Sequence, residues 1–288
     1  MIEYKQITEL PENYINEKIE EFLREDFAYE DITTLACVPD NKTIRGYIES
    51  QSELVFCGNQ IIRKILSNCN VLQINYQDGK LLPRNTIIAT FIGNARYILS
   101  RERVLLNIVQ RLSGVATITR QFADKAKKYN IKILDTRKTT PGLRLFEKYA
   151  VYCGGGTNHR LNLKEGMLIK DNHITASGSI TQALLNAKSM DLGLPIELEV
   201  DNIEQIKEAM QVGVDGFLLD NMNREQTIEA VKLIRSYPNG EQIFIESSGG
   251  INLSNIDNYF ETGINAISIG ALTHSAKSVD IHMEFEFE

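Results

Sequence analysis

Long apolar runs are missing from this 288-residue sequence. A helix that crosses a membrane needs about 20 consecutive apolar residues, and no run in the sequence approaches that length. The first ten residues, MIEYKQITEL, lack the apolar core of a signal peptide. We therefore expect neither a membrane-spanning helix nor a secretory leader.

Cysteine motifs and an excess of positive charge are missing as well. Cys37, Cys57, Cys69 and Cys153 show no Cys-x-x-Cys spacing, so the sequence indicates neither a disulfide framework nor a zinc site. The formal net charge of −7 argues against general nucleic-acid binding, because neutralising phosphates requires an extended basic surface. The composition, 43% hydrophobic and 24% charged, is that of an ordinary globular protein, and we expect it to be reduced and cytoplasmic.

Positive charge is nevertheless concentrated in one window, residues 135–173. This window holds seven Lys or Arg against four Asp or Glu, whereas the rest of the chain carries a net charge of −10. The basic residues fall in the loop-like segments DTRKTTPG, GGGTNHR and IKDNH. Basic residues on a solvated helix face would instead be spaced three and four apart. The pattern therefore favours a site for a small, strongly anionic substrate.

The first hundred residues have the periodicities of a mixed α/β unit. They predict helices over 12–24 and 61–66, a polar turn over 30–34, and strands over 44–48, 71–76 and 86–92. Two apolar stripes, 104–112 and 115–126, predict two helices separated at Ser113 and Gly114. Alternation from Ile281 to Phe287 predicts a last strand that returns to the first sheet. We expect a smaller N-terminal domain of residues 1–110 and 276–288.

From residue 131 onward one pattern repeats: a short apolar run, a polar loop and a helix signal. The runs end, 20 to 35 residues apart, at Asp135, Lys170, Val200, Asp220, Glu246 and Gly270. Three helix starts resemble capping boxes: Ser179 with Gln182, Asn202 with Gln205, and Asn223 with Gln226. Such a βα array predicts a parallel sheet with right-handed crossovers. We expect an α/β protein in which residues 111–275 form an incomplete TIM-like β/α barrel; a doubly wound open sheet is the alternative.

Functional residues of a parallel barrel gather where its strands end. Here those ends carry Arg137, Lys138, Lys170, Glu199, Asp220, Ser248–Gly250 and Gly270. Two glycine-containing segments, ESSGGI and SIGAL, come before helix candidates, and such helix starts bind phosphate through backbone N–H groups. We expect a phosphate site at Ser248, Gly249, Gly250, Gly270 and Ala271, although ordinary left-handed turns would explain the same glycines.

Two carboxylates and a histidine complete the predicted opening of the barrel. Glu199 and Asp220 end neighbouring strands, where they could hold Mg²⁺, bind ribose hydroxyls, act as acid and base, or simply pair with Lys138 or Lys170. Glu197 would share the face of Glu199, so only the carboxylate nearer the opening reaches a substrate. His159 should be partly exposed and donate to a carboxylate or phosphate, since no second histidine has metal-ligand spacing.

Several segments together resemble one enzyme family. They are ERVLLN (102–107), RLSGVAT (111–117), DTRKTTPGLR (135–144), EKYAVYCGGGTNHR (147–160), IKDNH (169–173), LDNM (219–222), ESSGGI (246–251) and GALTHS (270–275). In this order they look like quinolinate phosphoribosyltransferase. The resemblance implies transfer of phosphoribose from phosphoribosyl pyrophosphate to quinolinate with decarboxylation, which forms nicotinate mononucleotide for NAD biosynthesis.

The resemblance also implies a role for each site residue. Quinolinate would be held by Thr136, Arg137, His159, Arg160 and by Arg103 from the partner subunit of a homodimer. Lys138 and Lys170 would contact the pyrophosphate or the carboxylates, and Glu199 and Asp220 would act at the ribose and at Mg²⁺. These last four residues are the implied catalytic groups. The loops at Ser248–Gly250 and Gly270–Ala271 would bind the 5′-phosphate.

Three other functions remain open from the sequence. A lyase would use Lys170 as a Schiff-base amine. A related phosphoribosyltransferase-like protein associated with molybdenum transport would take a different base. A catalytically silent anion-binding barrel would need none of the carboxylates. The intact DTRKTTPGLR and NHR segments favour quinolinate.

Overall fold

The computed structural model describes residues 2–286, which divide into two compact units. Within these residues, the barrel unit consists of 2–6, 121–144 and 156–274, and the antiparallel unit of 7–120, 145–155 and 275–286. Residues 111–120, 145–155 and 275, expected in the barrel domain, lie in the antiparallel unit, and residues 2–6, expected in the N-terminal domain, lie in the barrel unit. Each unit is therefore assembled from segments that are distant in sequence.

The elements are numbered in chain order. The strands are β1 Thr43–Ser50, β2 Leu54–Val55, β3 Val71–Ile74, β4 Leu81–Leu82, β5 Ile87–Asn94, β6 Lys132–Leu134, β7 Met167–Ile169, β8 Ile196–Val200, β9 Gly216–Asp220, β10 Phe244–Ser248, β11 Ala266–Ser268 and β12 Ile281–Glu286. The helices are α1 Glu12–Glu25, α2 Ile32–Cys37, α3 Asn59–Ile65, α4 Ala95–Ala126, α5 Arg144–Cys153, α6 Asp171–Ser177, α7 Ile180–Ser189, α8 Ile203–Val212, α9 Arg224–Ser236 and α10 Ala271–His274. Among residues 2–286 no helix is long and apolar enough to cross a membrane.

The antiparallel unit is built on a four-stranded sheet in the order β12-β1-β5-β3. Alternate side chains of β1, β5 and β12 are buried, including Ile48, Phe91 and Met283, as a sheet with one covered face requires. Strand β12 pairs with β1, so the predicted return of the chain's last strand to this sheet is confirmed. Phe287, the last residue of that predicted strand, lies outside the described residues.

One long helix replaces the two that we predicted. Helix α4 runs without a break through Ser113 and Gly114. A Cβ at Gly114 would clash with the carbonyl oxygen of Lys277, and Ser113 Oγ accepts a 3.0 Å hydrogen bond from the N–H of Cys57. The prediction was wrong because these small residues serve close packing, and a Ser-Gly pair looks the same in either role.

The predicted polar turn at 30–34 is instead the start of a helix. Asp31 caps α2, because its Oδ1 accepts a hydrogen bond from the N–H of Thr34 at 3.0 Å. The capping pattern was present in the sequence, but the six-residue helix that follows it was too short to show a period.

The barrel unit contains the six parallel strands that the sequence predicted. Their order is β6-β11-β10-β9-β8-β7, so β6 and β7, which are consecutive in sequence, lie at opposite ends of the sheet. This is the expected incomplete β/α barrel rather than a closed one. Because the strands are parallel, their carboxyl ends meet at one face of the unit.

The predicted helix starts in the barrel unit are confirmed. Ser179, Asn202 and Asn223 cap α7, α8 and α9, and each side-chain oxygen accepts a 3.0 Å hydrogen bond from the N–H three residues later. At Asn223 the bond is reciprocal, since its N–H donates to Gln226 Oε1 at 3.0 Å. These caps fix the residues at which α7, α8 and α9 begin.

Candidate functional site

A cavity of about 310 Å³ opens at the carboxyl ends of the barrel strands. Its lining combines four cationic side chains with hydroxyl groups and a few apolar ones. The lining residues are Thr136, Arg137, Lys138, His159, Arg160, Leu168, Lys170, Leu218, Glu246, Ser248 and Ser268. Seven residues that we singled out from the sequence are therefore brought together, and the positive charges come from three separate loops.

The loop after β6 is held by hydrogen bonds on both sides of its cations. Thr136 Oγ1 accepts a hydrogen bond from the N–H of Lys138 at 3.0 Å, and the hydroxyl of Thr273 donates to the Lys138 carbonyl at 2.8 Å. Arg144 donates through Nε to Thr139 Oγ1 at 3.0 Å. The backbone that carries Arg137 and Lys138 is thus fixed, which orients the two cations before any ligand arrives.

Asp135, at the end of β6, fixes the second cationic loop. It is fully buried, and its carboxylate accepts hydrogen bonds from Asn158 Nδ2 at 2.7 Å and from the N–H of His159 at 2.9 Å. On the other side, the N–H of Asn158 donates to Gln6 Oε1 at 2.7 Å. Buried charge-assisted bonds of this kind are strong and directional, so the GGGTNHR loop has one defined path.

Arg160 follows that path into a nearly buried position. It is 6% exposed, and its Nη1 donates to the carbonyl of Gly166 at 2.7 Å. Burial, together with the charge of Arg137, lowers the pKa of the Arg160 guanidinium. Two like charges held close together in a cavity attract an anion more strongly than either does alone.

His159 is buried, which corrects the expectation of a partly exposed imidazole. Its Nδ1 accepts a hydrogen bond from the N–H of Arg160 at 2.8 Å, and its Nε2 lies 3.3 Å from Glu197 Oε2 and 3.7 Å from Glu246 Oε2. The Tyr4 ring stacks on the imidazole with centroids 4.6 Å apart. The imidazole ring therefore lies between the Arg160 backbone and two buried carboxyl groups.

Those two carboxyl groups hold their protons more tightly than usual. Burial, opposed by the charges of Arg160 and Lys170, raises the pKa of Glu197 to about 7. Burial and the neighbouring Glu197 raise the pKa of Glu246 to about 8. Burial also raises the pKa of the Tyr4 hydroxyl. Removing water penalises the charged form of each acid.

Sequence reasoning missed Tyr4 and Glu246. A carboxylate inside the apolar run IFIESS was a usable signal for Glu246, because an isolated charge in a buried strand requires a partner. Nothing in the local sequence connects Tyr4 with His159. The barrel unit includes residues 2–6, and only the fold places this segment against the loop.

Glu199 and Asp220 lie outside the cavity lining. Lys170 Nζ donates to Glu199 Oε2, which is the simple ion pair that we considered from the sequence. Asp220 Oδ2 accepts a hydrogen bond from Asn221 Nδ2 at 2.7 Å. Glu199 is the next-to-last residue of β8 and Asp220 is the last residue of the neighbouring β9, and their oxygens are the hard ligands that Mg²⁺ prefers.

A second group of potential metal ligands lies at the wall of the cavity, where His159 and Glu246 are lining residues. Donor atoms of His159, Glu197 and Glu246 lie within 4.8 Å of one another. The positive charges of Arg160 and Lys170 act on Glu197, and that of Lys170 also acts on Glu246, so both carboxyl groups already have a cationic neighbour that opposes a further cation. This group is better suited to sharing protons than to holding a metal.

The predicted phosphate loops are turns rather than the starts of long helices. Gly249 and Gly250 have positive φ angles, 96° and 62°, and a Cβ at Gly249 would clash with Asn221 Oδ1. A 3₁₀ turn at Ile256–Tyr259 and the four-residue α10 replace the helices that we expected after these loops. A Cβ at Gly270 would lie 3.0 Å from Lys138 Cδ, so glycine there leaves room for that side chain.

Ser248 alone of the predicted phosphate residues is in the lining, and Gly249, Gly250, Gly270 and Ala271 are not. Arg103 is exposed on α4 and belongs to the antiparallel unit. Its predicted place in the site of a partner subunit stays a prediction.

Comparison with known proteins identifies relatives along almost the whole chain. Residues 31–113 match the family model described as quinolinate phosphoribosyl transferase, N-terminal domain, and residues 115–284 match the model of the C-terminal domain. The chain is 42% identical to a probable carboxylating nicotinate-nucleotide pyrophosphorylase of Bacillus subtilis, covering 91% of this chain and 90% of that protein. It is 38% identical to the carboxylating nicotinate-nucleotide pyrophosphorylase of Mycobacterium leprae, covering 91% and 94%.

Solved structures give the same result. The nicotinate-nucleotide pyrophosphorylase of Francisella tularensis superimposes with a TM-score of 0.91 at 34% identity, covering 98% of this chain and all of that one. The Ehrlichia chaffeensis protein of the same name gives a TM-score of 0.89 at 37% identity, covering 94% and 98%.

Proposed function

The chain belongs to the quinolinate phosphoribosyltransferase family, and on that premise we propose how its cavity performs the family's reaction. The enzyme transfers phosphoribose from phosphoribosyl pyrophosphate to quinolinate and releases pyrophosphate and carbon dioxide. The observation that carries the assignment of the site is the meeting of Arg137, Lys138, Arg160 and Lys170 around one cavity. Their charge matches a pyridine that bears two carboxylates.

In this proposal Arg137 and Arg160 bind the quinolinate carboxylates, and Thr136 and Lys138 complete the contact. Guanidinium groups pair with carboxylates through two parallel hydrogen bonds, which fixes the plane of the ring as well as its charge. His159 accepts a hydrogen bond from the backbone N–H of Arg160 and also lines the cavity. Because the supporting loops are already hydrogen-bonded, little ordering is needed when the substrate binds.

The phosphoribosyl half would occupy the opposite side of the opening. Lys170 lies against Glu199 on this side. When the substrates bind, Lys170 would contact the pyrophosphate or a carboxylate, and Glu199 would accept a hydrogen bond from a ribose hydroxyl. Asp220 would act at the ribose and Mg²⁺ together with Glu199. Ser248 and the turns at Gly249–Gly250 and Gly270–Ala271 would bind the 5′-phosphate. The glycines at 249 and 270 leave space that a side chain would fill.

The chemistry needs no protein nucleophile. The pyridine nitrogen attacks the anomeric carbon through an oxocarbenium-like transition state as the pyrophosphate leaves, and the fixed cations stabilise the charge that develops on the leaving group. The ring nitrogen then carries a positive charge, which stabilises the ylide that remains when the adjacent carboxylate is lost as carbon dioxide. A proton taken up at that carbon completes nicotinate mononucleotide.

Magnesium fits the donor set at the strand ends. Glu199 and Asp220 offer hard oxygen ligands, although the ion pair with Lys170 favours contact with the ion through water or through the pyrophosphate. When bound, Mg²⁺ would neutralise the departing pyrophosphate.

A homodimer is part of the proposal. Exposed apolar side chains cluster in sequence between Phe27 and Leu35, and Ile32 is 80% exposed. Such residues are typical of an interface, and an exposed Arg103 could then reach the site of the partner. We also retain the cytoplasmic location that we expected from the sequence.

The ion pair between Lys170 and Glu199 disfavours the lyase alternative. A Schiff-base lysine needs its amine free to attack a carbonyl carbon, and here Lys170 Nζ is held against the Glu199 carboxylate.

The decisive experiment supplies the purified protein with Mg²⁺, phosphoribosyl pyrophosphate and quinolinate labelled in its 2-carboxylate. We expect release of labelled carbon dioxide and formation of nicotinate mononucleotide in equal amounts. Nicotinate in place of quinolinate is the matched control, because it lacks the carboxylate that is lost. Turnover of nicotinate with none of quinolinate would contradict the proposal.

A further inference from the structure

Two cysteines that are far apart in sequence meet inside the antiparallel unit. Cys57 follows β2, and Cys153 is the last residue of α5. Their sulfur atoms lie within 4.8 Å of each other. Cys57 is fully buried, whereas Cys153 is half-buried.

The backbone on each side of this pair is firmly held. The N–H of Cys57 donates to Ser113 Oγ at 3.0 Å, and the Ser113 hydroxyl lies 3.2 Å from the Cys57 carbonyl. Beyond Cys153, Arg120 Nε donates to the Gly154 carbonyl at 3.0 Å. These hydrogen bonds therefore keep the two thiols close together in the folded chain.

Of the two cysteines, Cys153 is the one that is partly open to solvent. Cys153 lines a cavity of about 560 Å³, together with Arg120 and Tyr152. Cys57 is covered completely, and burial raises the pKa of its thiol well above the usual value. A small oxidant would thus react first at Cys153, and the oxidised Cys153 would then lie next to the Cys57 thiol.

A metal ion is a poorer occupant of this place. The third potential ligand, Asp78, accepts hydrogen bonds on Oδ1 from the N–H groups of Gly58 and Asn59, at 2.8 and 2.9 Å. Its Oδ2 accepts one from the Tyr149 hydroxyl at 2.6 Å. With its carboxylate engaged in this way, two thiols alone would remain as ligands, short of the four that zinc takes.

We propose that Cys57 and Cys153 are a site of reversible oxidation by peroxide, which joins them in an intramolecular disulfide. The Cys153 thiolate attacks one peroxide oxygen, the O–O bond breaks, and the other oxygen leaves as hydroxide, which takes up a proton to form water. Cys57 sulfur then attacks the sulfenic sulfur, and the sulfenic oxygen leaves as a second water with the Cys57 proton. Two thiols lose two electrons and one peroxide gains them.

The test uses Cys37→Ser/Cys69→Ser, which removes the other two cysteines. The purified variant is treated with hydrogen peroxide, alkylated under denaturing conditions and analysed by mass spectrometry. We expect a loss of two hydrogen atoms, no alkylation, and a peptide that links the segments around Cys57 and Cys153. Dithiothreitol should restore both thiols.

The control adds Cys153→Ser to the same background, and an unchanged unfolding temperature establishes that it is folded. This triple variant should keep one alkylatable thiol after peroxide. Stepwise addition of oxygen without a linked peptide, disulfide-linked dimers, or zinc retained in native mass spectra would each overturn the proposal. None of these readouts depends on enzyme activity, so the result is separate from the proposed reaction.

A kinetic measurement then asks whether oxidation reaches the active site. Cys153 immediately precedes the GGGTNHR loop in sequence. We expect the disulfide form to have a several-fold higher KM for quinolinate, which dithiothreitol reverses; an unchanged KM would confine the disulfide to a local modification.

Discussion

His159 has a role that depends on what surrounds it. Beside Arg160 in the sequence it resembles a second ligand for an anion. In the fold its Nδ1 accepts a hydrogen bond from the Arg160 backbone, so the proton of the neutral ring is on Nε2, which faces Glu197 and Glu246. The imidazole therefore positions Arg160 at least as much as it could contact a substrate.

Arg160→Lys is the substitution that separates charge from geometry. Lysine keeps the positive charge but lacks the planar fork that can form two parallel hydrogen bonds to a carboxylate while also donating to the Gly166 carbonyl. Each charge-assisted bond is worth about 1.5–3 kcal/mol. We expect the KM for quinolinate to rise roughly ten- to a hundredfold, with a smaller effect on the KM for phosphoribosyl pyrophosphate.

Steady-state kinetics measure both, and Arg84→Ala, an exposed arginine of the antiparallel unit, is the control. Equal changes in both KM values would contradict the assignment.

The buried carboxyl groups predict a dependence of stability on pH. The pKa of Glu246 is raised from 4.5 to about 8 by burial, so the folded chain keeps a proton that the unfolded chain loses. The resulting stabilisation is fully present below pH 4.5 and is lost as the pH rises toward 8.

Glu246→Gln removes that titration. The free energy of unfolding should then fall less steeply between pH 5.5 and 7.5, by about 1 kcal/mol per pH unit relative to the unsubstituted protein. Urea unfolding at several pH values measures the difference. Parallel curves for the two proteins would show that Glu246 is ionised in the folded state.

At the scale of elements, sequence patterns predicted the repeated strands and the helix caps correctly, but they wrongly predicted a break within α4. Six strands follow from apolar runs because each must be buried on both faces of a parallel sheet. Ser113 and Gly114 lie in a regular helix because neighbouring segments need small residues there, and this need comes from contacts distant in sequence.

Gly114→Ala tests that reason. In a helix open to solvent the change would stabilise by about 1 kcal/mol. Here the added Cβ meets the Lys277 carbonyl, and we expect a loss of about 1–3 kcal/mol in the free energy of unfolding. Gln121→Ala, at an exposed position of the same helix, is the control and should change stability by less than about 0.5 kcal/mol. A stabilised Gly114→Ala would show that the close approach is absent.

At the scale of the whole molecule, a site completed by a partner subunit would make activity depend on assembly. If Arg103 acts in the site of its partner, Arg103→Ala and Arg137→Ala should each be nearly inactive alone. Mixed dimers of the two variants would contain one intact site, and activity should reappear when subunits are exchanged.

Mixing two preparations of Arg137→Ala is the matched control and should remain inactive. If Arg103 acted in its own subunit, neither site of the mixed dimer would be intact and no activity would return. Analytical ultracentrifugation of each variant checks that dimers form.

The sequence by itself determined the alternation of strands and helices, the helix caps, and the loops that carry Arg137, Lys138, Arg160 and Lys170. These features are local, because periodicity, capping and glycine conformation act within a few residues.

The tertiary structure decided which groups touch. The ion pair between Lys170 and Glu199, the burial of His159 against Tyr4 and Glu246, and the meeting of Cys57 with Cys153 all join segments distant in the chain. Burial and neighbouring charge set the pKa values of such groups, and both exist only once the chain has folded.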